Sequence, residues 1–176
     1  VAACLDQHVY AWHADGIPVR GWPVKLVDPE KVASFDPLTH TVDFQDAGSV
    51  PRGSKIVTNP SVGDLDGDGW MEGVCGTNEA YTNETLNVSS DSFALVSLLD
   101  ILGPVLGDSM QPGNTRAYAV HHDGAAHGLE AEAETPQDRV PTHAYLEGWP
   151  VKVAMLAAGM LPNVAEGING PAAIAD

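Results

Sequence analysis

The chain is expected to fold as an all-β protein of short antiparallel strands, and three observations lead there. Gly (18) and Pro (13) are frequent among the 176 residues, so turns recur too often for long helices. Runs such as HVYAWH, residues 8–13, alternate aromatic and β-branched residues as a half-buried strand does. A third observation is internal repetition. HVYAWHADGIPVRGWPVK, residues 8–25, is echoed by TRAYAVHHDG, residues 115–124, and then by LEGWPVK, residues 146–152. Tyr10-Ala11 matches Tyr118-Ala119, Asp15-Gly16 matches Asp123-Gly124, and Gly21-Trp22-Pro23-Val24-Lys25 matches Gly148-Trp149-Pro150-Val151-Lys152. Repetition of this kind governs the choice of fold.

Taken in order, strands are expected near 1–5, 8–13, 22–26, 39–45, 54–58, 60–64, 71–76, 116–121, 149–154 and 171–175. Ala-Asp-Gly at 14–16 is a hairpin signal. Pro23 and Pro150 place the runs after them at strand starts or sheet edges. One segment breaks the rhythm: residues 89–104 read as a short helix. Ser90 or Asp91 caps its start, Gly103-Pro104 ends it, and Phe93, Val96, Leu99 and Leu102 share one stripe. Residues 129–138, LEAEAETPQD, read as an acidic surface loop.

Composition bounds the function. Hydrophobic residues make up 44% and charged residues 18%, a globular balance with room for one core. The net charge of −16, from 24 acidic and 8 basic residues, repels nucleic acid and anionic membranes and suits metal cations. The apolar stretches near 93–102 and 153–161 are too short to span a bilayer. VAAC at the start has no basic region followed by an apolar core, so the chain reads as mature, processed or cut from something longer. Cys4 and Cys75 read as buried small apolar residues rather than as a bridge.

The chemistry concentrates in DLDGDGWME, residues 64–72. Asp64, Asp66 and Asp68 hold positions 1, 3 and 5, Trp70 at position 7 offers its carbonyl, and Glu72 sits at position 9. Gly67 and Gly69 permit the positive φ angles that wrap a backbone round an ion. Alternate hard oxygen donors suit calcium, whereas magnesium keeps waters and demands a near-octahedral shell. An EF-hand also requires a bidentate Glu at position 12, where this chain has Cys75, so that reading and the related dockerin reading fail. No catalytic constellation is evident. His121, His122, Asp123 and His127 cluster in sequence, but neighbours on a strand point to opposite faces and do not readily share an ion. Trp22 and Trp149 read as packing anchors, with sugar stacking as the other use.

NPSVGDLDGDGWMEGVCGT, HVYAWHADG and GWPVK together resemble the calcium-binding FG-GAP/VCBS-type repeats of bacterial β-propellers, similar to those of integrin α-subunits. The resemblance covers about half the chain, with insertions at about 27–57, 79–113 and 125–145. It implies a single propeller-like domain or fragment over 1–176, built of four-stranded antiparallel blades. About two blade equivalents are expected: residues 1–26 in a first blade, 58–153 in a second and 170–176 as the first strand of a further one. It implies that Asp64, Asp66, Asp68, the Trp70 carbonyl and Glu72 hold Ca2+ in a bracing role.

The function expected is a secreted, calcium-stabilised module at the cell surface or outside the cell. Its role would be structural, adhesive or self-assembling, including that of a filament subunit, with other copies or neighbouring blades as partners. The alternative is a propeller scaffold for a polysaccharide-active enzyme or a glycan-binding module. Asn83-Glu84-Thr85 and Asn87-Val88-Ser89 have the form of N-glycosylation acceptors, which suits a secreted surface. GPAAIAD, residues 170–176, echoes NPSVGD, residues 59–64. That echo makes the two termini edges of one interrupted unit, with 171–176 expected to add to the 1–26 sheet of another copy.

Overall fold

A computed structural model of the chain describes residues 1–36, 39, 41–51, 56, 58–79, 81–83, 110–112, 116–127, 144–153, 156–158 and 170–174. The described residues form antiparallel sheets joined by turns and three 3-10 turns, with no α-helix among them. Among the described residues the sheets do not close on one another into a ring. The helix expected at 89–104 and the acidic loop at 129–138 lie outside the described residues.

The first sheet contains β1 (Ala2–Ala3), β2 (His8–Tyr10) and β3 (Val24–Lys25), in that order. A hairpin follows, of β4 (Val32–Asp36) and β5 (Thr41–Phe44). The second sheet has four strands: β6 (Ser61–Gly63), β7 (Glu72–Thr77), β9 (Arg116–Val120) and β10 (Val151–Lys152). Each pairs antiparallel with the next, in chain order. Between β7 and β9 the chain forms β8 (Met110–Pro112), which pairs with β11 (Leu156–Ala158) in a separate two-stranded sheet.

The sequence repeat is a structural repeat with the same register. His8 pairs with Lys25 and Val9 with Val24, while Arg116 pairs with Lys152 and Ala117 with Val151. Thus the matched tyrosines and the matched Val-Lys pairs occupy equivalent ladder positions in the two sheets. The Gly-Trp-Pro corners match as well. Gly21 and Gly148 have φ of 81° and 84°, and both Trp22–Pro23 and Trp149–Pro150 are cis.

One core joins these elements. It contains Val9, Ala11, Trp22, Val24 and Leu26 from the first repeat, Phe35 from the hairpin, and Cys75, Tyr118, Val120 and Tyr145 from the second. The opposite face of the second sheet carries a smaller cluster, Val74, Ala119 and Leu146, with Trp149 and Ile174 against it. Period-two alternation explains the split: Val74 and Cys75, like Tyr118 and Ala119, face opposite ways. All six residues of β7 are buried, because both of its faces are covered. Trp22 is the joint between repeats: its indole is 6% exposed, and its Nε1 donates to the His122 carbonyl at 3.0 Å. That burial fits the packing-anchor reading and excludes sugar stacking by Trp22.

The corners meet directly. A Cβ on Gly21 would lie 2.0 Å from the Asp123 carbonyl oxygen, and one on Gly124 would lie 2.6 Å from the Gly21 carbonyl oxygen. The Ala125 N–H donates to that same Gly21 carbonyl at 2.9 Å. Only glycine permits this approach of two backbones.

The structure corrects several expectations. The strand expected near 39–45 is β5, but its partner β4, Val32–Asp36, was not expected; Val32 and Phe35 are the buried residues of β4. Residues 171–174 are not a strand. They run beside β6 of their own sheet, where the Ser61 hydroxyl donates to the Ala172 carbonyl and Ile174 fills the space left by Gly63. Pro171 has no N–H to offer a ladder. Ile56 and Thr58, within the strand expected at 54–58, are buried but not in a strand; the rest of that segment is not described. Cys4 is exposed, so only Cys75 is the buried thiol expected of both; the two are unbridged.

Candidate metal centre

The acidic loop is the hairpin between β6 and β7. Gly63 pairs with Glu72 at its base, and eight residues intervene. Its carboxylates turn inward because the loop's own N–H groups hold them. Gly67 and Gly69 donate to the two oxygens of Asp64 at 2.7 and 3.0 Å. The Asp68 N–H donates to Asp66 at 3.2 Å, and the Trp70 N–H to Asp68 at 2.7 Å. Gly67 and Gly69 have φ of 80° and 89°, as the wrapping requires.

One carboxylate oxygen from each of Asp64, Asp66 and Asp68 lies within 4.8 Å of the others. Two oxygens bound to one calcium at ~2.3–2.6 Å lie at most about 4.6–5.2 Å apart, so the cluster has the size of a calcium shell. Glu72 is fully buried: its Oε2 accepts the Leu65 N–H at 2.8 Å, while Oε1 is buried without a hydrogen-bond partner. Burial raises its pKa, and the charges of Asp66 and Asp68 push the same way, against the hydrogen bond from Leu65. An orphaned buried carboxylate oxygen under the charges of Asp66 and Asp68 is the arrangement a cation relieves. The residues therefore fit Ca2+, with Asp64, Asp66, Asp68 and Glu72 as the carboxylate set. Trp70 is exposed, and its indole stacks on His122 with centroids 4.8 Å apart.

The loop also meets a residue that the sequence reading set aside. Asp66, Glu72 and His121 bring one ligand atom each within 4.8 Å of one another. Gly73 pairs with Val120 across β7 and β9, so Glu72 and His121 stand opposite one another one step further along. They share the face of Val74 and Ala119. His122, one residue on, lies in a turn: its ring meets that of His127 edge-on at 6.5 Å, and its backbone carbonyl receives Trp22. Alternation along one strand left out the partner across the sheet. Burial lowers the His121 pKa, with the neighbouring His127 adding to the effect, and the imidazole rings of these two stack at 3.5 Å.

A second polar centre lies at the other end of the same strands. Glu79 is fully buried and accepts from Tyr118 at 2.6 Å, Thr77 at 3.0 Å and Tyr81 at 3.1 Å. Arg116 lies 3.4 Å from Glu79 and 2.7 Å from Asp28, and its guanidinium sits 5.0 Å from the Tyr81 ring centre. Burial pushes the Glu79 pKa up to about 7, against the opposing hydrogen bond from Tyr118 and charge of Arg116. This network ties the first repeat to the second through Asp28. Nothing local in the sequence announced it, since Glu79 and Tyr118 are 39 residues apart.

Asn83 uses its amide structurally. Its Nδ2 donates to Ser49 at 2.9 Å and to Asp46 at 3.3 Å, and its Oδ1 accepts from Lys31 at 2.9 Å. Asn87 lies outside the described residues. Among the described residues, no helix is long and apolar enough to cross a membrane. No family model, no curated protein and no solved structure matches the chain.

Proposed function

We propose that the protein is a calcium-stabilised β-propeller module of the cell exterior, with a structural, adhesive or self-assembling role such as that of a filament subunit. The observation that carries this reading is the β6–β7 hairpin. There three aspartate oxygens lie within 4.8 Å of one another, beside a buried Glu72 whose Oε1 lacks a partner. The repeated register of the two sheets and the Trp22 joint support blades packed face to face. Two blades do not close a ring, which takes at least about four. Other copies, or neighbouring blades, are the proposed source of the rest.

Calcium here is a brace. It neutralises the carboxylates of one turn and so fixes the β6–β7 connection. Thermal unfolding with Ca2+, Mg2+ or chelator, together with light scattering and electron microscopy of the purified chain, tests the reading. Calcium-specific stabilisation and ordered assemblies are expected. Indifference to calcium would reject the brace, and a lone monomer at all concentrations would reject self-assembly.

A further inference from the structure

The inner side of the acidic hairpin has a different donor set from its outer side. Asp64, Asp66 and Asp68 offer oxygen alone. Asp66, Glu72 and His121 offer two carboxylates and an imidazole, also within 4.8 Å of one another. Two carboxylates cancel the charge of a divalent ion, and imidazole nitrogen suits zinc, cobalt or nickel over calcium. Unpartnered buried atoms on two of these three residues point to a ligand as well. Glu72 is 0% exposed and its Oε1 has no hydrogen-bond partner; the Nδ1 of His121 is likewise buried and unpartnered.

The residues come from three connected places: a hairpin tip, the first residue of β7 and the residue after β9. The β7–β9 ladder ends at Gly73–Val120, and Glu72 and His121 lie one residue beyond that last pair, so regular backbone next to both donors sets their approach. Asp66 and His121 also line a pocket of about 570 Å3 with Leu65, Leu146, Glu147 and Trp149. That pocket gives an ion a path in and leaves room for water or a small oxygen or nitrogen ligand beside it.

We infer that Asp66, Glu72 and His121 form a second divalent-metal site, selective for zinc-type ions, on the inner side of the hairpin. Asp66 and Glu72 are common to both sites, so the two ions are coupled through two carboxylates, and His121 is the donor that belongs to the second site alone. The inference stands on His121 and the orphaned atoms around it, and does not require that the outer site hold calcium.

The test uses Co2+ as a spectroscopic probe for zinc. The full chain is titrated with Co2+ in saturating Ca2+, then the bound ion is displaced with Zn2+. Wild type is expected to bind one Co2+ with the visible bands of a low-symmetry nitrogen and oxygen shell. His121→Phe, which keeps a ring against His127, is expected to bind Co2+ at least about tenfold more weakly, with its calcium-dependent stability intact. Asp68→Asn is expected to do the reverse, weakening calcium and sparing cobalt. His122→Ala is expected to change neither. Long-range proton–nitrogen NMR of the histidine rings reads coordination at His121 directly, whatever a variant does to folding. Unchanged Co2+ affinity in His121→Phe, an all-oxygen Co2+ spectrum, or an unshifted His121 ring would overturn the inference. Failure of calcium binding alone would reject the brace and leave this site standing.

Discussion

Replacing Glu79 by glutamine should remove a specific pH dependence of stability. In the fold this carboxyl is sealed among Tyr118, Tyr81, Thr77 and Arg116, and its pKa rises from the ordinary 4.5 to about 7. The folded state therefore holds a proton that the unfolded state has released. Such a group contributes fully below pH 4.5, and its contribution is lost as pH rises through about 7. At ~1.4 kcal/mol per pH unit, the loss amounts to about 3 kcal/mol. That is a large share of the ~5–15 kcal/mol by which a domain is stable.

Glu79→Gln keeps the side-chain shape and one acceptor oxygen while losing the titration. Its stability relative to wild type should thus climb by about 3 kcal/mol between pH 4.5 and 8. Urea unfolding of both proteins at fixed calcium and ionic strength reads this difference. Other groups largely cancel in it, including Glu72, whose raised pKa acts in the same direction, and His121, whose lowered pKa acts in the opposite one. A difference constant to within ~0.5 kcal/mol, or one that falls with pH, would refute the reasoning.

Four further outcomes follow. If calcium binds with the ~10⁻⁴–10⁻³ M affinity of extracellular modules, about 1 mM Ca2+ should add ~0.4–1.4 kcal/mol to stability. Asp64→Asn should abolish most of that gain, as measured by thermal unfolding with and without chelator. Trp22→Ala should cost about 3–5 kcal/mol, because it empties the joint between the two sheets; denaturant midpoints check this. Gly21→Ala should prevent native packing, whereas Gly16→Ala should cost only the ~1–2 kcal/mol of a left-handed residue. Gly16 has φ of 84° but nothing within 4 Å of an added Cβ, so the two variants separate backbone conformation from collision. A thiol reagent should modify exposed Cys4 quickly and Cys75 only on unfolding, since burial raises the Cys75 pKa to about 11.

The parts of the fold that were legible in the sequence are those fixed by short-range pattern. Tyr10 and Tyr118, the two Gly-Trp-Pro-Val-Lys corners and the aspartate spacing each carry their information within a few residues. They correspond to β2, β3, β6, β7, β9 and β10. β5 falls within the strand expected near 39–45, whereas its partner β4 was less visible because VASFD offers only two buried positions, Val32 and Phe35. The β8–β11 pair was hidden for another reason: Pro112 interrupts the strand signal of β8. In the candidate site, Asp64, Asp66, Asp68 and Glu72 declared themselves by spacing. His121 did not, because its relation to Glu72 is a matter of ladder register between strands almost fifty residues apart. Glu79 was silent for the same reason, since burial and hydroxyl partners are tertiary facts.

The meeting of Gly21 with Gly124 constrains how the two copies of the motif can diverge. Each glycine belongs to one copy, yet the atoms that forbid a side chain on it belong largely to the other. A methyl group gained by either copy would push the other copy's main chain out of place, so neither position is free to drift alone. Natural variation should therefore spare both glycines together, even where the connecting segments lengthen or shrink without restraint.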